Sequence, residues 1–332
     1  MKKALLLVSI LISILAYSQD SKYLPVSNLP LEIVSHSHYV LGYSEDYEQA
    51  LWVAYELTSD ELVARFERTD NFREDPEVST GSASLSDYKG SGYDRGHLAP
   101  AADMSFSSTA MTESFYLSNM SPQVPGFNRG VWKRLEEQVR SWAESKGSIY
   151  VVTGSIISSS DLEIGVNGVE IPSQYYKVLL DEESQQAIGF VLKNESSSGE
   201  LLSFAVTVDE VELLTSLDFF SQLDDSLEEA IESAYSSDTW QPVKFTKTTN
   251  YQNSTITSQQ CKGIAKSTGV RCRNNTKNDS GYCYHHTDQA GSKDVEKVNQ
   301  PASSGRCMAT TKAGSQCKRN ASSGSSYCWQ HQ

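Results

Sequence analysis

A chain of 332 residues, 21% of them charged and with a mean hydropathy of −0.43, is long enough for one sizeable core plus a smaller appendage. Beyond its first residues it has no hydrophobic stretch long enough to cross a bilayer as a helix, so the exported product is expected to be soluble. The net charge of −14 conceals two opposed halves: Met1–Thr239 holds 15 Lys and Arg against 38 Asp and Glu (net −23), whereas Trp240–Gln332 holds 13 against 4 (net +9). An acidic body repels a polyanion at long range, and a basic tail attracts one.

In chain order, Lys2 and Lys3 precede an apolar run, Ala4 to Ala16, interrupted only by Ser9 and Ser13. Ala16-Tyr17-Ser18 supplies a small-x-small cleavage pattern, so residues 1–18 are expected to be a signal peptide and the product secreted or periplasmic. Ser21 to Ser37 is a Pro-containing approach to the fold. Tyr39–Tyr43 and Leu51–Leu57, rich in aromatic and β-branched residues, are expected as strands. Asp70 to Gly92 is polar and glycine-bearing, so mostly loop, and Ser108 to Leu117 is expected to be helical. Gly130 to Lys146 gives the clearest helical pattern: Val131, Leu135, Val139 and Trp142 recur at spacings of four, four and three. Asn128 suits its start and Gly147 its end.

Strands are then expected at Ser148–Thr153, Tyr175–Leu180, Ala187–Leu192 and Leu202–Val208, and short helices at Asp209–Leu214 and Ser226–Tyr235. The body, residues 30–249, is therefore α+β, with helices packed on antiparallel sheet. A polar linker, 250–260, leads to a tandem repeat. Cys261-x10-Cys272-x10-Cys283-x2-His286 (261–286) is echoed, after a second linker (287–306), by Cys307-x9-Cys317-x10-Cys328-x2-His331 (307–332). Each copy offers three cysteines and a histidine, the ligand number of tetrahedral Zn²⁺, and three cysteines cannot all pair within one copy. His285 is an alternative to His286, and a disulfide framework is the alternative to zinc, since six cysteines in an exported chain is an even number. The charge and aromatic residues of the tail suit contact with a polyanion or an anionic cell surface.

Within the body, Tyr93-Asp94-Arg95-Gly96-His97-Leu98-Ala99-Pro100 stands out, because His97 is the only histidine between Tyr39 and Tyr284. A lone histidine is usually a surface or satisfied core residue. Here an arginine two residues before it, a glycine that permits close approach and a downstream asparagine at a helix start point to a site for an anionic substrate. Asp94-Arg95-Gly96-His97 is followed by Phe115-Tyr116-Leu117-Ser118-Asn119-Met120-Ser121-Pro122-Gln123, then Phe127-Asn128-Arg129-Gly130-Val131-Trp132 and Leu135-Glu136. With Phe72-Arg73-Glu74-Asp75, Tyr88–Gly92, Val208–Glu212 and Leu217–Phe220, this ordered set resembles the DNA/RNA non-specific endonucleases of the ββα-metal type over roughly residues 40 to 245.

That resemblance implies a ββα-metal nuclease fold and roles at matching positions. His97 would be the general base, Asn128 the direct protein ligand of Mg²⁺ (or Mn²⁺), and Glu136 a hydrogen-bond partner of a metal-bound water. Arg95 would neutralise phosphate charge, and Asn119 would help hold the site together. A further cationic contact stays open between Arg68 and Arg73, since the spacing before Asp75-Pro76 departs from that of secreted bacterial members. The implied activity is metal-dependent cleavage of DNA and RNA leaving 5′-phosphates, with little sequence preference because phosphates carry no sequence information. A competing reading is a catalytically silent, secreted protein that binds nucleic acid or a cell surface; retention of both His97 and Asn128 argues against it. A toxin-like effector nuclease is a third, for which no delivery or immunity feature is visible.

Overall fold

The computed structural model describes residues 23–157 and 162–243, and in the tail 259–264, 270–273, 275–276, 281–282, 286, 289 and 308. The expected leader, 1–18, lies outside the described residues. The chain divides into two compact units, Met1–Thr255 and Ile256–Gln332.

The first unit is built on a seven-stranded antiparallel sheet. Its strands are β1 (Glu32–Ser35), β2 (Val40–Ser44), β3 (Gln49–Thr58), β6 (Ser148–Ile156), β7 (Gln174–Asp181), β8 (Gln186–Lys193) and β9 (Ala205–Val206), in the spatial order β9-β8-β7-β6-β3-β2-β1. Strands β3, β6 and β7 read as nearly continuous apolar runs because both faces of the sheet are covered. Alternation then sorts them. Val53, Tyr55 and Leu57 of β3, Val151 of β6 and Tyr175 and Leu179 of β7 pack in one core with Trp132, Leu135, Val139 and Trp142. Trp52, Ala54, Val152, Tyr176, Val178 and Leu180 face the other way, in a second core with Val208, Val211 and Ile231. The fold is α+β.

The covering helices follow the expected pattern with shifted ends. α1 spans Ser108–Glu113, α2 Lys133–Lys146, α3 Val208–Thr215 and α4 Asp225–Glu232. α2 ends at Gly147, whose φ of 87° is left-handed territory that a glycine accepts freely. α1 stops before Leu117 because the chain turns there: the Leu117 N–H donates to the Arg73 carbonyl, which draws the following residues toward the 72–75 segment. The single strand expected over Leu202–Val208 is instead a short 3-10 turn, Leu201–Phe204, a two-residue strand and the start of α3. Residues 201–207 are half-buried or exposed, with Leu201, Leu202, Phe204 and Ala205 packed at the margin of the first core, and only Ala205 and Val206 pair with β8, so the ladder holds just two residues extended.

Candidate active site

Beside the main sheet, β4 (Asp94–His97) pairs antiparallel with β5 (Met120–Gln123), and the chain from β5 runs directly into α2. The register sets Asp94 opposite Gln123, Arg95 opposite Pro122, Gly96 opposite Ser121 and His97 opposite Met120. Both strands carry sequence with no apolar alternation, so periodicity does not reveal them. Gly96 is required by the close approach of the two strands: a Cβ there would lie 2.1 Å from Cδ of Gln123.

His97 is 7% exposed, and its ring stands edge-on to Phe115 at 5.1 Å and 5.8 Å from Phe72. Nε2 is buried without a hydrogen-bond partner. Burial, reinforced by the charges of Arg68 and Arg95, pushes the imidazole's pKa down to about 3, so it is neutral across the physiological range. Those two arginines stack on the same aromatic rings. The Arg95 guanidinium lies 4.2 Å over Phe72, and that of Arg68 lies 4.9 Å over Phe115. Side chains two apart on a strand share a face, which places Arg95 and His97 together. Arg73 is held elsewhere: Nη1 donates to the carbonyls of Asn71 and Thr112, and the guanidinium lies 4.1 Å over Tyr116. Asp75 is buried, accepting from Ser118 Oγ and bonded to His36 Nε2 at 2.9 Å, so it ties the 72–75 segment to the residues before β5.

Asn119, fully buried, joins the ends of the β-hairpin. Its Nδ2 donates to the carbonyls of Ala99 (3.0 Å) and Ser114 (2.9 Å), and its Oδ1 accepts from the Ala99 N–H (2.9 Å). These bonds hold the strand just after His97.

Asn128, placed by the sequence at a helix start as N-cap or metal ligand, caps nothing. The helix is entered through a wide π-type turn, Phe127–Trp132, whose preceding cap is Gly126, and such turns recur at functional sites. Asn128 Nδ2 donates to Asp94 Oδ2 at 2.9 Å. With the amide nitrogen committed, the carbonyl oxygen is the end left for another partner. Arg129 closes on the same carboxylate, with contacts of 2.8 and 2.5 Å. Asp94 is therefore the group that orients Asn128, a role that sequence spacing alone does not reveal.

Glu136 is half-buried on α2. Burial raises its pKa, opposed by the charges of Lys177 and Arg140 and reinforced by those of Asp103 and Glu137. Lys177, from β7, is 1% exposed, with Nζ 4.7 Å over the Trp132 ring and no hydrogen-bond partner. Burial lowers its pKa, and Glu136 and Asp103 oppose that. Arg140 donates to Asp103 at 2.7 Å, and Tyr55 donates to the same carboxylate at 2.8 Å. A cleft of about 800 Å³, lined in part by Arg68, Arg134 and Arg140, adjoins these groups. Lys177, Asp103 and Arg140 carry no signal in the sequence because their importance arises from burial next to Glu136. Gln123, buried with neither side-chain polar atom paired, stands in a motif of the sequence that assigns it no role.

In the second unit, Cys261, Cys272 and His286 are buried and their ligating atoms all lie within 4.8 Å of one another. Cys261 Sγ is 3.5 Å from His286 Nδ1 and accepts the Gly263 N–H. Glycine is needed at 263, since a Cβ would fall 2.3 Å from the His286 ring. Cys283, His285, Cys307, Cys317, Cys328 and His331 lie outside the described residues.

A strand pair carrying Asp-Arg-Gly-His, followed by a helix that presents Asn and Glu, is the geometry of a ββα nuclease centre. Residues 25–226 match the family described as DNA/RNA non-specific endonuclease, and the chain belongs to that family. The chain is similar to Nuclease C1 of Cunninghamella echinulata var. echinulata, 37% identical over 212 residues that cover 58% of this chain and 84% of that protein. It is also similar to human mitochondrial Endonuclease G, 36% identical over 205 residues covering 57% and 69%. Among solved structures it resembles one titled as the EndoG/EndoGI complex. There the TM-score is 0.55 at 32% identity, covering 58% of this chain and 86% of the other. The first unit is an endonuclease with a ββα-metal fold.

Proposed function

We propose that the chain hydrolyses phosphodiester bonds of DNA and RNA with little sequence preference, with His97 as general base and a divalent cation, Mg²⁺ or Mn²⁺, held through Asn128. The observation that carries this reading is the pairing of a buried, neutral imidazole with an asparagine whose amide nitrogen is already bound by Asp94. A neutral imidazole accepts a proton from water, and the free amide oxygen suits a hard cation that prefers oxygen ligands. Glu136 supplies a carboxylate for a hydrogen bond to a water on the ion. The cation, when bound, polarises the scissile phosphate and stabilises the departing 3′ oxygen, which leaves a 5′-phosphate. Arg95 neutralises phosphate charge. Arg68, exposed, stacked on Phe115 beside His97 and paired with Asp70 only through Nε, serves as the second cationic contact through its other nitrogens, whereas Arg73 is occupied by backbone carbonyls.

The basic tail acts as a polyanion-binding accessory, and Cys261, Cys272 and His286 supply ligands for a structural Zn²⁺, with one such ion expected for each three-cysteine, one-histidine copy in the sequence. Two thiolates and an imidazole gathered in one buried cluster fit that ion. Elemental analysis of the purified chain should find about two Zn²⁺ per molecule; zinc-free protein with all six cysteines oxidised would favour disulfides. The leader at 1–18 supports export of the enzyme.

Residues 19–332, incubated with supercoiled plasmid and with total RNA, should cleave both in Mg²⁺ and neither in EDTA. A folded protein that cuts neither polymer with any of several divalent cations would shift the weight to a binding role.

A further inference from the structure

On the sheet face opposite α2, where α3 and α4 cover β8, the chain concentrates acid without any compensating base. Between Lys193 and Lys244 there are twelve Asp and Glu and no Lys or Arg. Most of these carboxylates point to water and need no explanation. Three do not disperse: oxygens of Asp209 and Glu212 on α3 and Glu232 at the end of α4 all lie within 4.8 Å of one another. They run from exposed (Asp209) through half-buried (Glu212) to buried (Glu232).

Glu232 is the informative member. It is 6% exposed, and its Oε1 is buried with no hydrogen-bond partner. The carboxylates of Glu212, Glu228, Asp209 and Asp218 surround it, all of the same charge. An unpaired buried carboxylate beside other carboxylates is costly, and folds retain such groups where something neutralises them. Glu212 is partly committed, accepting the Phe219 N–H at 2.7 Å through Oε1, which fixes its carboxylate in place. Oxygens that all lie within 4.8 Å of one another are close enough to share one ion with bonds of about 2.4 Å.

We propose that Asp209, Glu212 and Glu232 form a binding site for a hard divalent cation, Ca²⁺, remote from the nuclease centre. Calcium takes six to eight oxygens in flexible geometry, so three carboxylates supply much of its shell and water completes it on the exposed Asp209 side. The ion joins α3 to α4 and neutralises the acid of this face, so its effect is on stability. The site is independent of the cleavage chemistry.

The test uses the full chain carrying Asn128→Ala, so that the nuclease centre contributes no cation binding, stripped with EGTA and titrated calorimetrically with Ca²⁺. The expected result is one Ca²⁺ per chain with a Kd between about 10⁻⁶ and 10⁻³ M. Saturating Ca²⁺ should raise Tm by roughly 3–6 °C. Both effects should weaken at least tenfold in Glu232→Gln and in Asp209→Asn; the second, at an exposed position, should fold normally. Absence of binding heat and of any Tm rise would overturn the proposal, as would binding that persists unchanged in both variants. If Glu232→Gln raises Tm without ions while the parent binds none, the trio holds a shared proton and the cation site is refuted.

Discussion

His97 and Glu136 are driven in opposite directions by burial, and this separates their contributions to the pH profile. The imidazole, with its pKa pushed to about 3, is fully available as a base from pH 5 to 8. The carboxyl of Glu136 is raised by burial and restrained chiefly by the positive charge of Lys177. Any loss of kcat/KM on acidification within that range should therefore report protonation of Glu136 rather than of His97. Lys177→Met removes the main charge favouring the carboxylate and should move the acid limb to higher pH. The substitution replaces an unpartnered buried ammonium with an apolar chain of similar length, so the fold should survive it. Profiles of wild type and K177M that superimpose would contradict this assignment. At this scale the sequence was informative where the family pattern names a residue type, as at His97 and Asn128. It was silent about Asp94 as the partner of Asn128 and about Lys177, because an amide's orientation and a lysine's desolvation are set by packing.

The end of the β4–β5 hairpin is tied by the side chain of Asn119. Asn119→Ala would remove three buried hydrogen bonds and leave the Ala99 N–H and two carbonyls without partners. The cost should be about 2–4 kcal/mol, read as a lower urea midpoint with an unchanged m-value. Activity should fall further than the loss of folded protein explains, since Ala99 lies two residues from His97. A variant as stable as wild type would show that the clamp is dispensable. Strands β2, β3, β6, β7 and β8 were legible from their aromatic and β-branched runs and α2 from its apolar periodicity, whereas β1, inside the Pro-containing approach, was not. The two short strands of the site were not, because Asp94–His97 and Met120–Gln123 are selected for chemistry and for the Gly96–Gln123 approach, not for a hydrophobic face. The 201–207 segment misled for the converse reason: its residues are β-type, but only Ala205 and Val206 find a strand to pair with.

Across the whole molecule, charge divides along the chain. Met1–Thr239, of net −23, sets Arg68 and Arg95 beside His97, while Trp240–Gln332 carries +9. Removing residues 251–332 should leave plasmid cleavage intact at low salt. It should weaken nucleic-acid binding and make the slope of log K against log salt shallower by about 0.9 for each phosphate that the tail no longer neutralises. An unchanged affinity and slope would show that the tail serves something other than polyanion binding. Sequence composition revealed this division directly, since charge and cysteine content change near one point in the chain.

The account rests most heavily on His97 as the proton acceptor. The most direct measurement is the single-turnover rate of supercoiled plasmid cleavage in saturating Mg²⁺, for wild type and for His97→Ala shown to be folded by near-UV circular dichroism. The rate should drop by about 10²–10⁴-fold, with plasmid affinity changed little. A folded His97→Ala protein that cleaves within a few-fold of the wild-type rate would contradict the assignment and place the base elsewhere in the site.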